Sequence, residues 1–209
     1  AYTFEHRIDY VIQGFSGSSL FQFGDNVPIV DLGNGSEDSL WQEASGQIGY
    51  VRGGGSITGN TALMSKAAEN DLVSLIRVNK DYNCGKVEAT DCVPIFKGTS
   101  IEAITEANGG TVPTELSFIA MSKDAGEILE AAVINGSGSI AMDIDVTNDG
   151  TRTIYVPCGE FKGKSSEVVI AGAHHDTVYS GPGAIDDTSG SASIMEMSRQ
   201  ISKIVNESG

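Results

Sequence analysis

Over the first 40 positions the apolar residues come in short β-type pieces, Ile8-Asp-Tyr-Val-Ile12 and Val27-Pro-Ile-Val30, separated by turn signals at Gly14, Gly17 and Asn34-Gly35. Such pieces between glycines predict strands and loops. Gly46 to Gly55 then reads as a short strand running into a glycine turn. From Thr61 onward Leu63, Met64, Ala67, Ala68 and Leu72 recur at helical spacing. The β-branched run Val73-Ser-Leu-Ile-Arg-Val78, stopped at Asn79, predicts a strand. A helix is expected over Ser100–Ala107, with Thr99 and Glu102 as a capping box and Asn108-Gly109 as its stop. A second should run from about Lys123 to Ile134, with Ile128, Leu129, Ala132 and Val133 on its apolar face and Gly136 at its end. Ser139–Val146 alternates like a strand, and the turn Asn148-Asp-Gly150 marks a domain boundary.

Beyond that turn the pattern changes. Thr153–Val156 is a short strand candidate, and Val168-Val-Ile-Ala-Gly-Ala173 is a continuous apolar run of the kind buried inside a two-sided sheet. A glycine-rich loop leads into a helix from about Thr188, with Ile194, Met197, Ile201 and Ile204 on one face. That is α/β logic, which puts functional residues at the carboxyl end of a central strand.

Charge narrows the function. Thirteen Lys plus Arg stand against 28 Asp plus Glu, a net charge of −15. An acidic surface without a basic stripe argues against nucleic-acid binding. No apolar run approaches the ~20 residues of a membrane span. The start, Ala1-Tyr-Thr-Phe-Glu-His6, lacks the pattern of a signal peptide, so an exported protein would already have lost its leader. Cys84 and Cys92, eight positions apart in a polar loop, suit a disulfide in an oxidising compartment, which leaves Cys158 over. With Asn-x-Ser sequons at Asn34, Asn135 and Asn206, these features favour a secreted or otherwise extracytoplasmic location.

The stretch that carries chemistry is Ala171-Gly-Ala-His-His-Asp-Thr-Val-Tyr-Ser-Gly-Pro-Gly-Ala-Ile-Asp-Asp-Thr-Ser-Gly190. Imidazole and carboxylate are the usual zinc ligands of hydrolases, and one carboxylate can bridge two metals. Gly181, Gly183 and Ala184 let the loop fold tightly, so that an Asp returns to the His at the strand end. Taken alone, the same residues also describe a satisfied turn followed by an Asp N-cap.

Val169-Ile-Ala-Gly-Ala-His-His-Asp-Thr-Val and Gly181-Pro-Gly-Ala-Ile-Asp-Asp-Thr-Ser-Gly resemble, in order and at family spacing, the first two metal motifs of M28 zinc peptidases (aminopeptidases and glutamate carboxypeptidases). The resemblance implies two zinc ions, His174 as a terminal ligand of one and Asp186 as the bridge between both. It makes Asp176 the partner that fixes the imidazole tautomer. His175 should point away, and Asp187 is expected as a cap or loop residue. Ile185 stands where the family usually has Asn. Residues 46–146 resemble a protease-associated (PA) domain through Gly46–Gly55, Lys66–Asn79 and Leu116–Leu129. The expected architecture is therefore a β-rich α+β PA-type domain with its N-terminal segment over 1–150, then the first strands and helix of an α/β zinc-peptidase domain over 151–209.

The family's site further requires a Glu-Glu pair, an Asp and a late His. This sequence has no Glu-Glu dipeptide, and its histidines are His6, His174 and His175. The chain is accordingly expected to be an incomplete, inactive part of an exopeptidase acting on peptides or proteins. The alternative is a non-catalytic PA-type binding module for protein or peptide partners.

Overall fold

The computed structural model describes residues 2–52, 59–78, 99–134, 139–148, 153–177 and 181–207. Cys84, Cys92, Asn135 and the glycine turn 53–55 lie outside them. The chain divides into two compact units, Ala1–Asp149 and Gly150–Gly209.

Unit 1 alternates strands and helices: β1 (Tyr10–Ile12), β2 (Ser19–Phe21), β3 (Ile29–Asp31), α1 (Asp38–Glu43), β4 (Ile48–Arg52), α2 (Asn60–Glu69), β5 (Ser74–Val78), α3 (Ile101–Ala107), β6 (Ser117–Met121), α4 (Lys123–Ile134) and β7 (Met142–Ile144). Five strands form one sheet in the order β1-β6-β5-β4-β3. Strands β3 to β6 run parallel, and β1 joins β6 antiparallel. The short pair β2–β7 is a separate antiparallel sheet. Ser19 on β2 ties it to the main sheet, its hydroxyl lying 2.8 Å from both the Val73 carbonyl and Ser117 Oγ. Unit 1 is thus a mixed α and β structure, more parallel than the β-rich expectation.

Because successive strand residues face opposite sides, the sheet buries two apolar faces. Val51, Leu75 and Phe118 belong to one core, closed by Trp41 of α1, Leu63, Met64 and Ala67 of α2, and Ile104 of α3. Tyr50, Ile76, Val78, Ile119 and Met121 belong to the other, closed by Ala125 and Leu129 of α4 and by Met142 and Ile144 of β7. Each large side chain fully buried in this way stabilises the fold by ~1.5–3 kcal/mol before entropy is counted. Two covered faces explain why β4 and β6 read as apolar runs without clean alternation.

Several expectations need correction. Helix α1 lies in and just beyond the segment read as strands and loops. It is only six residues long, held by Trp41, whose Nε1 donates to the Gly35 carbonyl at 3.0 Å. Helix α4 has the expected bounds but rolls its face: Ala125, Gly126 and Leu129 are buried, whereas Ile128 and Ala132 are exposed. The cause is a close approach, since a Cβ at Gly126 would lie 2.2 Å from Val78 Cγ1. The cap of α3 is Ser100, whose Oγ accepts from the Ala103 N–H. Thr99 instead donates to the Gly14 carbonyl at 2.6 Å. Strand β7 covers only the middle of the alternating run 139–146.

Unit 2 departs most. Thr153–Val156 and Val168–Ala173 form no strand. A strand is defined by its neighbour's hydrogen bonds, and no segment pairs with either among the described residues. Val169 is 97% exposed and Ile170 88%. The helix formed is α5 (Ser189–Glu207), preceded by a distorted turn, Ala184–Thr188.

Candidate metal-ligand site

The site is built from residues 174–177, residues 181–183, the distorted turn Ala184–Thr188 and the start of α5. At Gly183 the loop takes φ 68°, and a Cβ there would lie 2.9 Å from Thr177 Cβ, so glycine meets both a conformational and a steric demand. The Gly183 carbonyl accepts from the Thr188 N–H at 3.0 Å, which closes the turn. Inside it Asp186 (φ −114°, ψ 92°) and Asp187 (φ −133°, ψ 35°) are non-helical, and the peptide bond between them is cis.

This turn brings Asp186 back to His174. His174 Nε2 lies 3.0 Å from Asp186 Oδ1. On the other side of the ring Nδ1 lies 3.1 Å from the Asp176 carbonyl and 3.3 Å from Asp176 Oδ1. An N–H at Nδ1 therefore has an acceptor, and Nε2 is left facing the Asp186 carboxylate. The hydrogen bond to the Asp176 carbonyl holds the imidazole above its ordinary pKa. Desolvation opposes this, while the carboxylates of Asp176, Asp186 and Asp187 add to it. With a proton on Nε2 the pair is an ion pair; without it, Nε2 offers a lone pair beside a carboxylate oxygen. The site is open, with His174 53% and Asp186 88% exposed.

Asp187 does more than the cap or loop role expected of it. One oxygen accepts from the Gly190 N–H at 3.1 Å, which caps the start of α5, and the other accepts from the His174 N–H at 3.3 Å. The carboxylate thus ties the helix to the segment that carries the histidine. Gly190 makes room for it, since a Cβ there would lie 2.3 Å from Asp187 Oδ1. Ser191, unremarked in the sequence, adds a hydroxyl bond to the His174 carbonyl at 3.0 Å. The Asp-x-x-Gly spacing signals the cap, but nothing local signals the bond to His174. His175 is exposed, and Ile185 is 86% exposed.

The donor set fits part of a zinc shell. Two ligand atoms ~2.0–2.2 Å from one zinc lie ~3–3.5 Å apart, close to the His174–Asp186 separation. Among the described residues, however, no group of three or more His, Cys, Asp or Glu side chains is arranged to hold a metal ion. These residues can contribute to a metal site and do not complete one.

A histidine and an aspartate held together by a glycine turn at the head of a helix are the geometric result of this segment. Residues 158–208 match the model of peptidase family M28. The aminopeptidase of Pseudomonas aeruginosa (strain UCBPP-PA14) is 40% identical over 60 residues, covering 29% of this chain and 11% of that protein. Leucine aminopeptidase 2 of Trichophyton equinum is 32% identical over 94 residues, covering 44% of this chain and 19% of that protein. The chain therefore spans less than a fifth of each of these relatives. A solved aminopeptidase from Aneurinibacillus sp. strain AM-1 is 15% identical with a TM-score of 0.39, covering 61% of this chain and 25% of its own, a likeness too slight to bear on the fold.

Proposed function

We propose that this chain carries the first two metal-binding side chains of a zinc-dependent exopeptidase, His174 as terminal ligand and Asp186 as the carboxylate shared by two zinc ions. The observation that carries the reading is the 3.0 Å approach of His174 Nε2 to Asp186 Oδ1 within a segment that matches the M28 family model. Zinc held there, together with further ligands, would supply Lewis acidity and lower the pKa of a bound water. Asp176 accepts a hydrogen bond from the Nδ1–H, which fixes the tautomer and leaves the Nε2 lone pair for a metal. Asp187 holds the backbone of His174 against α5, so the imidazole keeps its place whether or not its ring is protonated. The names of the relatives favour peptides trimmed from the amino terminus. The acidic surface, the Cys84/Cys92 spacing and the sequons support work outside the cytoplasm.

The 209 residues contain no Glu-Glu pair to supply a base and a further ligand. We expect the chain alone to bind zinc weakly and to cleave nothing. Titration calorimetry with zinc should give one weak site, lost in His174→Ala and in Asp186→Asn. In Asp176→Asn it should weaken by about 10-fold or more. Unchanged zinc binding in His174→Ala would remove the ligand assignment. Zinc-stimulated cleavage of an aminoacyl chromogenic substrate by pure chain would remove the expectation of inactivity.

A second reading, a PA-type binding module, is favoured by a cavity of about 670 Å³ in unit 1, lined by Ile76, Ile119, Met121 and Leu129. It predicts binding of an apolar peptide that His174→Ala and Asp186→Asn leave unchanged.

A further inference from the structure

We propose that Asn34 is an N-glycosylation acceptor, an inference that rests on the extracytoplasmic reading above. Of the three sequons, Asn135 lies outside the described residues and Asn206 sits in the last turn of α5, its backbone committed to a helix. Asn34-Gly35-Ser36 differs. It follows the edge strand β3, whose partner in the sheet is β4, and both Asn34 and Ser36 are exposed. Asn34 Oδ1 accepts from the Ser36 N–H at 3.1 Å and from the Ser36 hydroxyl at 2.6 Å. The two groups that define the sequon thus lie together on the outer side of one turn.

The turn is anchored without using the atom to be modified. Gly33 N–H donates to Asp31 Oδ1, Gly35 N–H to the Leu32 carbonyl, and Trp41 Nε1 to the Gly35 carbonyl. Asn34 Nδ2 makes no hydrogen bond among the described residues, so a sugar in place of one of its hydrogens breaks no contact of the fold. A bulky polar group is tolerated only at such a surface position. The co-reactant is an oligosaccharide carried on a polyisoprenyl pyrophosphate. The bond from Asn34 Nδ2 to the sugar C1 forms as the bond from C1 to the pyrophosphate oxygen breaks. Nδ2 gives its proton to a base of the transferase, and the polyisoprenyl pyrophosphate leaves with the electron pair.

The test secretes the full chain from a eukaryotic cell behind a cleavable leader, with a reporter sequon in an appended tag as internal control. Digestion with peptide-N-glycosidase in heavy-oxygen water converts each glycosylated Asn to an Asp that carries the label. The peptide containing position 34 should gain the heavy oxygen. That signal should vanish in Asn34→Gln and Ser36→Ala and persist in Ser36→Thr, with circular dichroism checking that each variant is folded. A glycosylated reporter beside an unlabelled position 34 overturns the proposal. So does an aspartate at that position without heavy oxygen, which reports spontaneous deamidation at Asn34-Gly35. Fractionation of the native cell answers separately: cytosolic protein there would overturn the location reading, while a labelled position 34 in the secreted chain would still establish Asn34 as a competent acceptor.

Discussion

Val73-Ser-Leu-Ile-Arg-Val78 and Val168-Val-Ile-Ala-Gly-Ala173 are alike in composition, yet only the first contains a strand. In unit 1, β5 lies between β4 and β6, with Leu75 and Ile76 each at most 1% exposed. In unit 2, none of the described residues is buried, and Val168–Ile170 are 79–97% exposed. Local β propensity measures how well a residue fits a pleated, half-buried surface, so it has nothing to act on where no neighbour exists. What unit 2 does fix is short-range: a glycine turn, an Asp cap and a His–Asp contact, all close together along the chain. The site geometry depends on that local wiring, and the strand that should carry it depends on partners.

The largest test of this contrast is truncation on the two sides. Phe118, fully buried on the interior strand β6 of the main sheet, should cost ~3–5 kcal/mol when replaced by Ala. Ile170→Ala should cost less than ~0.5 kcal/mol, as exposed positions do. Urea unfolding followed by circular dichroism reads both. An Ile170→Ala loss comparable to that of Phe118→Ala would show that the segment is buried in solution. Next in size is Gly126→Ala, which drives a Cβ into Val78 and should cost ~1–3 kcal/mol. Adding Val78→Ala should recover part of that loss, because the two changes share one contact. Additive losses would place the strain elsewhere.

Legibility followed the range of the interaction. Helices α2 and α4 and strand β5 could be read because each spans enough residues to show a period or a β-branched run. Helix α1 could not, since Leu40 and Trp41 are adjacent and six residues make less than two turns. Its anchor, the Trp41–Gly35 bond, is a tertiary fact. The cap of α3 was misread because Thr99 and Ser100 both offer a hydroxyl, and the choice is made by the Gly14 carbonyl, 85 residues away. At the candidate site, the motif resemblance and the glycine loop anticipated the meeting of His174 with Asp186. The second grip of Asp187 on the His174 backbone was invisible, because it depends on where the extended segment lies against α5.

The smallest effect sharpens the same contrast inside α5, the one long element of unit 2. Glu196 receives two hydrogen bonds from Arg199, through Nε and Nη2 at 2.7 Å each, and one from Gln200 at 2.6 Å. These bonds, those from Arg199 first, lower its pKa. A carboxyl whose folded pKa lies below its unfolded one adds stability that is present above the unfolded value and lost as pH falls through the folded one. Helicity of a peptide spanning 189–207 should therefore fall on acidification through the carboxylate range. Glu196→Gln should remove most of that dependence, because the only other acid in the span is Glu207 at its end. Because the pair is exposed, added salt should weaken its ionic part without touching the apolar face. If helicity in the unsubstituted peptide is flat across that range, the Glu196–Arg199 pair contributes nothing to the helix. If helicity falls equally in Glu196→Gln, the dependence belongs to Glu207. Either outcome would leave α5 resting on its backbone hydrogen bonds and its Asp187 cap, whereas unit 1 rests on its core.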